Sequence, residues 1–232
     1  MRLIQRTEGL VRDVGALALA AGVIGASFGA IAVAAGVSVP MTIGMSLVVF
    51  AGGSQFLAVG IVSAGGGVVA AVLAGLLLNA RHLPFGLAIG EVYDRGWLTR
   101  LVGSHILIDE SVAFALARRD GAERRLAYWA CGVGLFVSWN LGTVAGALAG
   151  NAVGDPAVFG LDAAFPAGLL ALLLPSLRER PALRVAVAGA ALALVTTPVL
   201  PPGLPILVAL LALAFAAPVP AALRTSRRGA PS

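Results

Sequence analysis

The amino-acid sequence predicts an all-α integral membrane protein, a polytopic helical bundle of about eight spans. Three observations carry that prediction. Hydrophobic residues make up 59% of the chain and charged residues 12%, with a mean hydropathy of +0.97, whereas soluble domains carry about 25% charged residues. Apolar runs of about twenty residues recur along the whole length, each enough to cross a hydrocarbon core about 30 Å thick. Arginines sit in short clusters between those runs, the pattern of membrane orientation signals. No stretch between runs exceeds about ten residues, so residues 1–232 are expected to form one transmembrane domain.

The net charge of +5 comes from 16 arginines and no lysines. Because the arginines punctuate apolar runs rather than forming a basic face, they argue for membrane topology and against a nucleic-acid partner. Cys131 is the single cysteine. It lies in an apolar run and is read as a small packing residue. Arg2, Arg6 and Arg12 precede a first apolar run longer than the about 7–15 residues of a signal-peptide core, so an uncleaved first span is expected.

The spans fall at approximately 14–36, 40–63, 66–90, 101–117, 126–150, 157–177, 183–200 and 203–223. With both termini cytoplasmic, Arg118, Arg119, Arg124 and Arg125 fall in a cytoplasmic loop. So do Arg178, Arg180 and Arg184, and Arg224, Arg227 and Arg228 fall in the tail. Arg95 and Arg100 disagree, lying in the third, outer loop. The fourth run holds His105, Asp109 and Glu110; if it were a wet surface segment the count would drop to seven. Eight spans violate the arginine rule least.

Gly25-x-x-x-Gly29 in the first span and Gly142-x-x-x-Gly146-x-x-x-Gly150 in the fifth are small-residue ridges that let helices approach closely. Their similar places in the two halves suggest a possible internal repeat, as in many transporters. Pro40, Pro156 and Pro205 stand near span starts, where a missing N–H costs nothing. Pro84 and Pro166 stand inside spans, each freeing a carbonyl, and mark expected helix breaks.

Polar residues inside the runs are the candidate site. Span two contains Phe50-Ala-Gly-Gly-Ser-Gln-Phe56; Gln55 either joins two helices by a hydrogen bond or contacts a substrate. Span three carries Asn79-Ala-Arg-His-Leu-Pro84. An unpaired arginine near the bilayer centre costs roughly 2.5–3.5 kcal/mol on the gentlest scale. Arg81 therefore either snorkels to an interface or faces protein with a counter-charge. His105 and Asp109 are four residues apart and share a face if their helix is continuous. Asp109 and Glu110 are candidate partners for Arg81, and an acid left over could exchange a proton. Span five offers Ser138, Trp139, Asn140 and Thr143, and span six offers Asp162 near Pro166.

Enzymatic readings find no support. Two histidines and one cysteine cannot supply a zinc site, and neither H-E-x-x-H nor C-x-x-C occurs. No phosphate-binding loop with a lysine exists. No cofactor or metal is expected.

These segments carry a resemblance. Phe50-Ala-Gly-Gly-Ser-Gln-Phe56, Asn79-Ala-Arg-His82, Asp109-Glu-Ser-Val-Ala-Phe114, Ser138-Trp-Asn-Leu-Gly-Thr143 and Gly160-Leu-Asp-Ala-Ala-Phe-Pro166 occur in the order seen in the AzlC family of branched-chain amino acid permeases. The chain is similar in particular to its YgaZ-like exporter large subunits. The resemblance covers positions 50–166; beyond Arg178 only hydropathy matches. It implies export of valine, leucine, isoleucine or analogues such as azaleucine across a bacterial cytoplasmic membrane. It also implies a small AzlD- or YgaH-like membrane partner subunit. Asn140 stands where many relatives carry an apolar residue. The residues expected to contact substrate or couple protons are Gln55, Asn79, Arg81, His82, His105, Asp109, Glu110, Asn140 and Asp162. Two other readings stand beside this one: a transporter of another small metabolite, and a membrane scaffold that moves nothing.

Overall fold

In the computed structural model, residues 2–93, 96–153, 170, 174, 176–200 and 204–216 are described, and among them every regular element is helical. Among the described residues the α-helices are, in order, α1 (Arg2–Ala34), α2 (Val39–Val49), α3 (Gly52–Ser63), α4 (Val68–Asn79), α5 (His82–Ala88), α6 (Trp97–His105), α7 (Asp109–Leu116), α8 (Gly121–Val153), α9 (Arg180–Thr196) and α10 (Leu204–Ala209). Short 3-10 turns occupy Gly90–Val92, Ser176–Arg178 and Leu210–Ala216. Among the described residues, Gly9–Ala34, Val68–Ala88 and Gly121–Gly150 are long and apolar enough to cross a membrane. Asp162 and Pro166 lie outside the described residues.

The two longest helices, α1 and α8, each have 33 residues and pack side by side. Val14 meets Gly134, Gly22 meets Gly142, Ala26 meets Gly146 and Ala30 meets Gly150, so the helices run parallel in a constant register. A methyl group added at Gly142 or Gly146 would collide with the backbone carbonyls of Gly22 and Ala26. Glycine is needed here because backbone lies on backbone, the small-residue packing that joins helices where lipid supplies no hydrophobic drive. Ser138 adds a hydroxyl donated to the carbonyl of Ala18. The glycine ridges of the two halves thus face each other directly.

Helix α1 stops at Ala34 because Gly36 takes a positive φ of 87° and Val37 N–H returns to the carbonyl of Ala32, a Schellman stop. Gly65 (φ 81°) ends α3 in the same way, with Gly66 N–H on the carbonyl of Ile61. Ser38 and Pro40 open α2, and Asp120 caps α8 by accepting the Ala122 N–H at 2.8 Å.

Three segments that the sequence presents as single spans are each interrupted. Between α2 and α3 the chain turns at Phe50, a non-glycine residue in the left-handed region (φ 40°, ψ 49°). That conformation costs roughly 1–2 kcal/mol. It is held by burial of the Phe50 ring, which lies edge-on to Phe136 at 4.9 Å. Between α6 and α7 the residues Ile106, Leu107 and Ile108 leave the helix, with Ile108 extended and its N–H taken by the Ser111 hydroxyl at 3.1 Å. Neither interruption involves proline. Between α4 and α5, Ala80 and Arg81 keep right-handed dihedrals near the 3-10 values. Pro84 cannot donate to the carbonyl of Ala80, and Leu83 N–H does so instead at 3.1 Å. This segment is tightened rather than sharply bent.

Around the α1–α8 pair, α2 and α7 pack on α8, while α3 packs mainly on α4. The principal core joins Phe28, Phe56, Tyr128, Cys131, Leu135 and Trp139, and Cys131 is wholly buried. A smaller cluster of Ile61, Ala71 and Ala74 takes Ile206 and Leu207 of α10. Leu76, Leu77, Leu83 and Leu87 point outward from α4 and α5, as lipid-facing side chains do.

Replacing Gly146 with Leu should destabilise the protein by about 1–3 kcal/mol or more, the cost of overpacking a closed contact. Gly15→Ala on α1, where a methyl meets nothing within 4 Å, should be tolerated. Thermal unfolding of both variants in detergent checks the pair.

Candidate functional site

The three interruptions bring their polar residues to one place. A cavity of about 350 Å³ lies beside the α1–α8 pair, lined by Gly52 and Gly53 of α3, Arg81 and His82 at the α4–α5 turn, Asp109 and Glu110 of α7, and Trp139 of α8. Leu17, Ile24, Leu135 and Ile108 supply apolar wall. Its volume falls at the lower end of the roughly 300–1,000 Å³ usual for small-molecule sites.

Arg81 Nη1 donates to Asp109 Oδ2 at 3.0 Å, closing an ion pair between the α4–α5 turn and the first turn of α7. Both side chains are a little over 40% exposed, 42% and 43%, so the pair sits at an open wall of the cavity rather than sealed in the core. The other carboxylate oxygen of Asp109, Oδ1, is buried and accepts no hydrogen bond from the protein. Asp109 and Glu110 occupy the first turn of α7, where the helix dipole favours negative charge. Helix α3 begins at Gly52, also on the cavity wall, with no side-chain cap. Its first amides lack intrahelical acceptors. The site therefore combines a guanidinium, helix N–H donors and two carboxylates on one cavity wall.

His82 lines the cavity, and its Nδ1 lies 2.9 Å from the carbonyl of Asn79. Asn79 stands just behind, where its Oδ1 accepts from the Ser54 hydroxyl and ties α4 to α3. Gln55 is 1% exposed, and neither its amide nitrogen nor its amide oxygen has a partner.

Two sequence expectations change. His105 does not share a helix face with Asp109, because His105 ends α6 and Asp109 begins α7, with three non-helical residues between them. Its Nε2 lies 2.9 Å from the carbonyl of Leu47, and its ring packs against Phe50 and Phe136. His105 thus meets a carbonyl that the end of α2 leaves free. Asn140 does not line the cavity. It accepts from Ser46 Oγ at 2.8 Å and donates to the carbonyl of Phe136, and Thr143 completes a buried junction of α2 with α8. Trp139 is the lining residue that polarity did not single out; its place in mid-span, away from the interfacial belt, was the available signal.

Neutralising one member of the ion pair should leave the other unmatched inside the membrane. Arg81→Gln and Asp109→Asn should each lower the melting temperature in membranes, by up to roughly 2.5–3.5 kcal/mol in stability. The double variant should recover most of that loss, and a double-mutant cycle on melting temperature measures it.

Comparison with known proteins gives one match. A family model described as AzlC protein covers residues 16–153, more than half of the chain and all of the cavity-lining residues. No curated protein and no solved structure matches.

Proposed function

The chain belongs to the AzlC family, which is associated with branched-chain amino acid transport, and from that premise we propose that it exports branched-chain amino acids as the large subunit of a two-component exporter. The observation that carries the reading is the cavity itself: about 350 Å³ lined by a guanidinium paired to a carboxylate, a second carboxylate, the start of α3 and apolar side chains. A zwitterion with a branched hydrocarbon side chain complements each part. Its carboxylate meets Arg81 and the first amides of α3, where a helix N-terminus favours an anion. Its ammonium meets Asp109 or Glu110, and its side chain lies against Leu17, Ile24 and Leu135.

The resting Arg81–Asp109 pair gives this binding a mechanism. An incoming zwitterion offers each charged partner a replacement, so the internal pair opens without leaving a bare charge in the membrane. The exchange is close to neutral in electrostatic energy, as a site that must also release its substrate requires. Glu110, the second acid of the turn, is the candidate for carrying a coupled proton. His82 and Asn79 hold the turn that presents Arg81.

The parallel register of α1 and α8 supports eight spans over seven. If both helices cross the bilayer, the chain between them crosses an odd number of times. The segments α2–α3, α4–α5 and α6–α7 provide three crossings, which makes the run over 101–117 a crossing segment. The arginine pattern supports cytoplasmic placement of both termini, in a bacterial inner membrane. A small AzlD-like membrane subunit is the proposed partner.

Leucine counterflow in vesicles carrying both subunits tests the function. Wild-type vesicles should exchange labelled leucine, and Arg81→Gln, Asp109→Asn and Glu110→Gln should each reduce exchange at least tenfold, the equivalent of about 1.4 kcal/mol. Full exchange in all three variants would remove the site. Assembly without any exchange in the wild type would favour the scaffold reading, and a substrate panel would identify another metabolite.

A further inference from the structure

Three aromatic rings from three helices pack together at the Trp139 wall of the cavity. Phe28 of α1, Phe56 of α3 and Trp139 of α8 are 0%, 1% and 7% exposed. Phe28 and Phe56 meet edge-to-face at 5.3 Å, Phe28 and Trp139 stack at 6.0 Å, and Phe56 meets Trp139 at 6.3 Å. The indole of Trp139 also forms cavity wall, and it lies flush on α3. A methyl group at Gly52 would come within 2.7 Å of its Cη2.

Two side chains in this layer are unsatisfied. The indole N–H of Trp139 has no acceptor, and both polar atoms of the Gln55 amide have no partner. Gln55 stands one turn beyond Gly52 on the same face of α3 and is followed directly by Phe56. A buried polar group left unpaired costs roughly 1–3 kcal/mol. Gln55 has two, and Trp139, packed on Gly52 and Phe56 of the same helix, has a third, which is an expensive arrangement for residues that merely pack.

We propose that Gln55 and the Trp139 indole N–H form a second, occluded contact site for the polar ends of the transported amino acid, sealed from the cavity by the Phe28–Phe56–Trp139 barrier. This rests on the transport reading above. The amide offers both a donor and an acceptor, and the indole offers a donor, so together they can meet a carboxylate and an ammonium in turn. Charge is absent, so the site holds a zwitterion loosely and passes it on.

The fold also indicates which element opens. Trp139 and Phe28 belong to α8 and α1, which are locked backbone to backbone by glycine. Phe56 and Gln55 belong to α3, which starts after the left-handed Phe50 and the flexible Gly52-Gly53 pair and packs chiefly on α4. Movement of α3 with α4 lifts Phe56 from Trp139 and uncovers Gln55. Arg81, at the end of α4, couples that movement to the cavity through its pair with Asp109. Breaking the pair by substrate releases the barrier.

Thiol accessibility tests this. In a Cys131→Ala background, Gln55→Cys is introduced and the full chain is studied with its small subunit in membrane vesicles, using a small water-soluble maleimide. Labelling should be slow at rest. It should accelerate at least tenfold on adding saturating leucine, and likewise in Trp139→Ala without leucine, whereas Trp139→Phe should keep it slow. A rate unmoved by leucine, where matched Cys131→Ala vesicles with native Gln55 perform leucine counterflow, overturns the proposal, as does a rate unmoved by Trp139→Ala. If the matched vesicles with native Gln55 show no counterflow at all, the transport reading fails instead, and the Trp139→Ala rate still decides whether the rings seal Gln55. A second variant separates function from folding. Gln55→Leu should raise the melting temperature, because it removes the unpaired amide, and yet reduce leucine exchange at least tenfold. A lower melting temperature with unchanged exchange would make Gln55 structural and overturn its role.

Discussion

The backbone contact between α1 and α8 is the constraint on which the remaining structure depends. In lipid, helices gain little from burying apolar side chains, so close approach and dispersion must hold them. Glycines at 22, 142, 146 and 150 permit that approach over about two turns, and the parallel register follows from their spacing. With this pair closed, α2 and α7 have a fixed surface to lean on, and the aromatic and hydroxyl side chains of α8 acquire defined partners. Trp139 lines the cavity, Asn140 and Thr143 bind α2, and Tyr128 donates to the carbonyl of Gly103 at 2.6 Å.

Interrupting a helix in a bilayer frees backbone groups that lipid cannot satisfy, which is tolerated only against protein or a water-filled cavity. Here the freed groups find specific partners. His105 meets the carbonyl of Leu47, Ser111 meets the N–H of Ile108, and Leu83 meets the carbonyl that Pro84 cannot serve. The first amides of α3 are different, because they open on the cavity. Irregular backbone is thus concentrated where a ligand can take the place of water, and the same location explains why Arg81, Asp109 and Glu110 are affordable inside the membrane.

Much of the site was legible in the residues. A guanidinium in an apolar run demands a counter-charge, and the candidate acids were the two in the following span; the structure places Asp109 3.0 Å from Arg81. Helical spacing misled at His105, because counting four residues to Asp109 assumes a continuous helix. Polarity alone misled at Asn140, since an amide that binds a neighbouring helix looks like one that binds a ligand. The turn at Phe50 left one local sign, the Gly52-Gly53 pair just after it, which weakens a helix. A left-handed non-glycine residue is imposed by its surroundings, in this case a ring held against Phe136.

The sequence by itself determined the class, the family and the residues too costly to be idle, because hydropathy, arginine placement and charge in lipid are properties of single segments. It also identified the glycine ridges as contact surfaces. What only the tertiary structure decided is which ridge meets which, in what direction, and where the helices stop short. The register depends on contacts between α1 and α8, and the stop at Phe50 on a ring of α8, so no local pattern encodes them. They turn a list of polar residues into a cavity with a paired guanidinium and carboxylate, and an aromatic cluster at its Trp139 wall.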